Sequence, residues 1–252
     1  MIDWTLKEIA GMIDHSLLHP TMTDDEMTEG CHQAVAYGMA TVCVKPMFVK
    51  QAHHLVRHSK TKVCSVIGFP HGNNTTKIKV AETKLAILEG ATEIDMVIHA
   101  GKVLSKDWAY IKKDITAVNK ICVKNGAILK VIFENDFLPD TKLKIKLCTI
   151  CNKVGVAFVK TSTGYGYVKS PQGGYTYQGA TIPDVDLMRK YCNHDIQIKA
   201  AGGIRTLDDL LLFRSHGVTR IGATASVAML EDAKKRLGLN PSDAIIKEVK
   251  GY

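Results

Sequence analysis

Residues 141–160 read TKLKIKLCTICNKVGVAFVK, and this stretch sets the architecture. Apolar residues at helical spacing fill 141–153, Gly155 offers a left-handed stop, and a short apolar run, 157–160, follows as a strand. Working outward, the same unit recurs in both directions. β-Branched runs at 11–14, 40–44, 62–67, 93–98, 128–132, 157–160, 197–200 and 220–221 are expected strands. Between them lie amphipathic stretches at 24–37, 47–58, 76–89, 106–124, 141–153, 182–191 and 207–215, with an eighth starting near 224. Gly38, Gly90, Gly126, Gly155 and Gly217 close helices in this pattern. Strand and helix alternating eight times predicts one parallel sheet closed into a (β/α)₈ TIM barrel, an α/β fold. No linker or low-complexity tract divides the chain, so 1–252 is expected to form a single domain.

The bulk numbers agree with that reading. A length of 252 residues matches the typical ~250-residue barrel. The N-terminus lacks a basic region followed by an apolar core, and no run approaches the roughly 20 apolar residues of a membrane helix. A cytoplasmic protein without membrane contact is the expectation. Seven cysteines, an odd number spread through apolar runs, predict reduced thiols, and Cys148 and Cys151 fall on one helix face instead of forming half a metal site. The net charge of +8 is scattered over the helices. It reads as solvated outer faces that also favour anionic substrates, with no motif for nucleic acid.

Barrel active sites form at the C-terminal ends of the strands. The polar residues expected there are Asp14, Asp95, Lys160 and Lys199, with Thr161, Ser162 and Thr163 just beyond. Lys160 closes VAFVK, and Lys199 lies in IQIK on the next strand. An ordinary lysine is uncharged at pH 7 in only about one molecule in 2,500, and a fall of ~3 pKa units would free roughly a quarter to a third. Burial and a second nearby lysine both act in that direction, and a free amine is what imine formation with a carbonyl requires. Either lysine could instead extend past the rim into solvent, and Asp95 could serve only as its salt-bridge partner. Further along, KAAGGIRT places Gly202 and Gly203 after the seventh strand, and RIGATAS places Gly222 after the eighth. Loops at these two positions commonly hold a phosphate. The histidines do not converge on a strand end, where only His99 lies, so no metal is expected.

Between Thr163 and Gly179 the rhythm breaks in GYGYVKSPQGGYTYQ, residues 164–178. A loop this long in a compact domain is usually functional, and this one is expected to cover the barrel mouth or reach a neighbouring subunit.

The segments MIDHSLLHP, EIDMVIHAGK, LKVIFE, FVKTSTGYG, IKAAGGIRT and RIGATAS together resemble the deoxyribose-phosphate aldolase family, and the likeness runs through nearly the whole chain. The resemblance implies that Lys160 forms the imine, that Asp95 moves protons through water, and that Lys199 assists. It places Asp14 in support, and Thr163, Gly164, Gly203, Gly222 and Thr224 on the phosphate side with Gly202. It implies no cofactor, small phosphorylated sugar and aldehyde partners, and a homo-oligomer, dimer or tetramer. The expected reaction is reversible cleavage of 2-deoxy-D-ribose 5-phosphate to acetaldehyde and D-glyceraldehyde 3-phosphate, in deoxyribonucleotide and carbohydrate catabolism. A same-fold Schiff-base aldolase with a different acceptor, phosphorylated or not, is the nearest alternative, and a non-catalytic sugar-phosphate-binding barrel a more distant one. Two departures bear on the substrate: the long 164–178 loop, and GATAS where the family often carries adjacent serines. The terminal Tyr252 is similar to tail tyrosines that reach the site in some members.

Overall fold

The computed structural model describes residues 2–240. Eight strands form the barrel: β1 (Ile13–Leu17), β2 (Thr41–Val44), β3 (Lys62–Ile67), β4 (Glu93–Val97), β5 (Ile128–Ile132), β6 (Phe158–Lys160), β7 (Gln197–Ala201) and β8 (Arg220–Ala223). Each is parallel to the next, and the ring closes through β8 and β1, with Ile13 beside Ile221 and Asp14 beside Gly222. This is the closed barrel that the alternation predicts. Helices Asp24–Tyr37 and Thr141–Val154 each end on a glycine in the left-handed region, Gly38 at φ 67° and Gly155 at φ 69°. A residue with a Cβ would be strained there, which is why the chain stops and turns to the next strand.

One boundary differs in a way that matters. The first strand is expected at 11–14 but starts at Ile13, because a helix occupies Leu6–Gly11. Thr5 and Glu8 form a reciprocal capping box that starts this helix, which runs through Gly11. Asp14 therefore sits near the start of β1, deep in the barrel, and not at its C-terminal end. Asp95 and Lys199 are likewise central in β4 and β7; of the four polar residues expected at strand ends, Lys160 alone ends its strand.

Alternation along the strands sorts side chains into two regions. Ile13, Leu17, Val42, Ile94, Met96 and Val131 belong to a large buried cluster shared with the helices. A second, small cluster holds Leu18, Cys43, Cys64 and Val66, with Phe69 packed on it. Barrel interiors are ordinarily filled with branched apolar side chains. This interior is instead largely ionic, with Asp14, Glu93, Asp95, Lys130, Lys160 and Lys199 all buried. All seven cysteines are free and buried, as the odd count suggests. Among the described residues, no helix is long and apolar enough to cross a membrane.

Candidate active site

The buried charges form one connected network. Lys160 Nζ donates to Asp95 Oδ2 at 2.8 Å, and Lys199 Nζ donates to the same oxygen at 2.7 Å. Lys130 Nζ takes the other oxygen, Asp95 Oδ1, at 2.7 Å and also pairs with Glu93 at 2.8 Å. Lys199 reaches Asp14, while Arg220 spans Asp14 at 2.6 Å and Glu93 at 2.9 Å. Strand register brings these together, since Asp95 lies beside Lys130, and Lys199 lies between Lys160 and Arg220.

Electrostatics follow from the pairing. Burial opposes ionisation of Asp95, yet Lys130, Lys160 and Lys199 outweigh it and hold the carboxyl well below its ordinary value. Asp14 is lowered in the same way by Lys130, Lys199 and Arg220. Burial likewise opposes the charge on Lys199, but Asp14 and Asp95 raise its pKa above the ordinary lysine value. This corrects the like-charge argument for that residue. Two carboxylates fix Lys199 as a cation, so proximity to another lysine does not discharge it.

A cavity of about 110 Å³ with a mixed polar and apolar lining opens above this network at the C-terminal end of the barrel. Lys160 lies at its wall together with Thr163 and Gly164 from the end of β6. Gly202 and Gly203 after β7, and Gly222 and Thr224 at β8, line the other side. Seven of the ten expected site residues thus meet at one pocket. Asp95 and Lys199 do not line it; they lie behind Lys160. Asp14, expected at the substrate, is fully buried and spent on Lys199, Arg220 and Thr41, whose hydroxyl donates to it at 2.8 Å. Its position two residues into β1 is the reason.

The long loop covers the mouth, as one of its two expected placements has it. It folds into a hairpin pairing Val168–Lys169 with Tyr175–Thr176. Tyr165 stacks edge-on against Phe69, their centroids 5.5 Å apart, and its hydroxyl donates to the Leu18 carbonyl at 3.1 Å. At the other end, Asp136 accepts from the backbone of Gln178 at 2.7 Å and Gly179 at 3.0 Å. Tyr167 and Tyr177 line the cavity.

Glu134, just after β5, ties the loop after β6 to the barrel. It takes a left-handed backbone at φ 53°, and its side chain accepts from the Thr163 amide at 3.2 Å and pairs with the Thr163 hydroxyl. Burial pushes the Glu134 carboxyl up to about 7, with the Thr163 hydrogen bonds opposing. Because this pKa lies above an unfolded value near 4.5, the fold binds the proton more tightly than the unfolded chain. The associated stability is fully present below about pH 4.5 and is lost as pH rises to about 7. A difference of about 2.5 units corresponds to ~3 kcal/mol as an upper figure. Urea unfolding of wild type and Glu134→Gln at pH 5 and pH 7.5 should therefore show wild type losing 2–3 kcal/mol relative to the variant (about, by the same conversion). Parallel pH dependence in the two proteins would exclude a raised carboxyl here.

One cluster of metal-type donors converges among the described residues: Cys43, Cys64 and Asp95, with donor atoms within 4.8 Å of one another. The Asp95 oxygen facing it already accepts from Cys64 Sγ and from Lys130, which also contacts that sulfur at 3.1 Å. A divalent ion would have to displace an ammonium group, so the donor set does not fit a metal. His99, the histidine nearest a strand end, instead caps the helix Ala100–Leu104.

Lys130, Glu93 and Arg220 are absent from the expected set, although they complete the ionic network. The signal for Lys130 is a cation in the middle of ILKVI, where alternation puts it on the face opposite Leu129 and Val131.

Residues 9–228 match the model of the DeoC/LacD family aldolases, and the chain belongs to that family. It is an aldolase, built as a closed barrel with a lysine-bearing pocket at the strand ends. Among curated relatives, the deoxyribose-phosphate aldolase of Rhodopirellula baltica is 40% identical over 252 residues, covering 100% of both chains. That of Caldanaerobacter subterraneus is 43% identical over 233 residues, covering 92% of this chain and 96% of the relative. The solved structure of the Aeropyrum pernix deoxyribose phosphate aldolase, described as a unique tetramer, superposes with TM-score 0.81 at 29% identity. It covers 92% of this chain and 93% of that one.

Proposed function

We propose that this aldolase reversibly cleaves 2-deoxy-D-ribose 5-phosphate through a Schiff base on Lys160. The carrying observation is the placement of Lys160: it ends β6 at the cavity wall with its amine 2.8 Å from the Asp95 carboxylate. Charge balance supports the chemistry. Beside the Lys160 amine, the three cations Lys130, Lys199 and Arg220 face the three carboxylates Asp14, Glu93 and Asp95. Leaving this set neutral avoids the cost of an uncompensated buried charge.

In this reading the Lys160 amine attacks carbon 1 of the open-chain aldehyde, and water leaves to give the protonated imine. The bond between carbons 2 and 3 then breaks, its electron pair moving into the imine to form an enamine. The proton of the carbon-3 hydroxyl passes to Asp95 through a water, because Asp95 lies behind Lys160 and not on the cavity surface. Protonation of the enamine and hydrolysis release acetaldehyde. Lys199, fixed as a cation, stabilises the Asp95 carboxylate in its ionised form. Gly202, Gly203, Gly222 and Thr224 would hold the phosphate with Thr163 and Gly164. A homo-oligomer, with the tetramer of the Aeropyrum pernix relative as the precedent, and a cytoplasmic place in deoxyribonucleotide and carbohydrate catabolism complete the proposal, with the whole chain acting as one catalytic unit.

Borohydride reduction in the presence of 2-deoxyribose 5-phosphate tests it. A stable mass increment on the peptide carrying Lys160 is expected. No adduct, or one on Lys199 or Lys130 instead, overturns the assignment. Turnover of 2-deoxyribose with and without its 5-phosphate separates this substrate from an unphosphorylated one.

A further inference from the structure

The Tyr177 hydroxyl is buried and, among the described residues, has no hydrogen-bond partner. A buried hydroxyl left unpaired costs about 1–3 kcal/mol, so its position calls for an explanation. The hydroxyl rests against Gly202, which lines the cavity, and against Gly179. A Cβ added to Gly202 would lie 1.9 Å from it, and one added to Gly179 would lie 2.7 Å away. Both glycines hold left-handed backbones, at φ 91° and φ 73°. Their missing side chains make the space that the phenol enters.

The ring is held in place from several sides. Tyr167 packs on it with centroids 5.5 Å apart. The following residue, Gln178, is pinned by Asp136, and the amide of Ala180 donates to the Gly202 carbonyl at 3.1 Å. That carbonyl is therefore already engaged. The hairpin thus brings the phenol to the cavity wall beside Gly202. Burial raises the phenol pKa, which keeps its proton in place at neutral pH.

We infer that Tyr177 is a specificity-determining residue, its hydroxyl donating to the phosphate end of the substrate. This inference rests on the aldolase reading above for the identity of the substrate. The hydrogen bond to the anion then satisfies the unpaired donor, and because the phosphate takes no part in the bond broken it acts on binding and not on the chemical step.

Tyr177→Phe in the full-length enzyme removes the hydroxyl and keeps the ring. KM for 2-deoxyribose 5-phosphate is expected to rise roughly 10- to 100-fold, the range for a hydrogen bond to a charged group, at little changed kcat. Turnover of unphosphorylated 2-deoxyribose should stay the same, so the preference for the phosphate falls by the same factor. Tyr175→Phe, on the exposed strand of the same hairpin, should behave as wild type. Inorganic phosphate supplies a readout independent of turnover: it should raise the Tm of wild type and raise that of Tyr177→Phe less. Equal phosphate preference and equal phosphate-induced Tm shifts in the two proteins would overturn the inference. Failure of borohydride trapping in wild type would instead overturn the aldolase reading, while the phosphate-dependent Tm comparison would still decide whether Tyr177 contacts the anion.

Discussion

Lys160→Leu is expected to lose turnover by a factor on the order of 10⁶, the scale seen when an enzyme's covalent nucleophile is removed. The same variant should remain folded. Without the Lys160 amine, the network still sets Lys130, Lys199 and Arg220 opposite Asp14, Glu93 and Asp95. Asp95 keeps two ammonium partners, at 2.7 Å each. The lost packing of the side chain is largely replaced by leucine, and large penalties arise when a buried charge is left unpaired, which does not happen here. The check is acetaldehyde release alongside urea unfolding. A variant that retains more than about a thousandth of wild-type turnover would place the nucleophile elsewhere (the scale is set by the acid–base range). Loss of the fold would mean that Lys160 serves the network as an obligatory cation, and the charge-balance argument would fail.

Much of this site is legible from the sequence, and the reasons are local. Lys160 stands out because it closes an apolar strand, VAFVK, immediately before a run of small polar residues. The glycines at 202, 203 and 222 stand out because their places after the last two strands are fixed by counting. The depth of Asp14 is a different matter. It depends on where β1 begins, and that depends on the preceding helix, started by Thr5 and Glu8, running through Gly11. The T-x-x-E spacing of that capping box is visible in the sequence, but its reach through a glycine is settled by tertiary packing. Lys130 shows a second kind of gap. A lysine inside a strand ordinarily reads as an outward, solvated side chain. Its role emerges only when register sets it beside Asp95 and the closed barrel brings Arg220 and Glu93 to the same interior. Tyr177 shows a third, because nothing in the loop's composition says which of its four tyrosines will reach the cavity. That follows from Asp136 anchoring the hairpin's last residues, a contact made across 42 positions.

Asp95→Asn should be the most damaging single change to the network as a whole. Its carboxylate is the common acceptor for Lys130, Lys160, Lys199 and the Cys64 thiol. The amide keeps the shape but removes the charge, and its NH₂ group presents donors where a lysine also donates. Two carboxylates, Asp14 and Glu93, then face the three cations Lys130, Lys199 and Arg220. Breaking a buried ion pair by neutralising one partner costs about 3–5 kcal/mol, and here three pairs share the partner. Activity should fall by about 10²–10⁴, the range for lost acid–base work. The pH dependence separates the two effects. Asp95 is held well below its ordinary value, so its contribution to stability is present above the unfolded pKa near 3.9 and is lost as pH falls through the lower folded value. Wild type should therefore keep its advantage over Asp95→Asn at neutral pH and surrender it in strong acid. Urea unfolding at pH 7 and acid titration of both proteins measure this directly. An Asp95→Asn variant as stable as wild type at pH 7, but inactive, would reduce Asp95 to a proton carrier and leave the ionic interior to be held by Glu93 and Asp14. An active but unstable variant would do the reverse, making the carboxylate a structural counter-charge and sending the search for the proton carrier to Glu134, the remaining buried carboxyl beside the pocket loop.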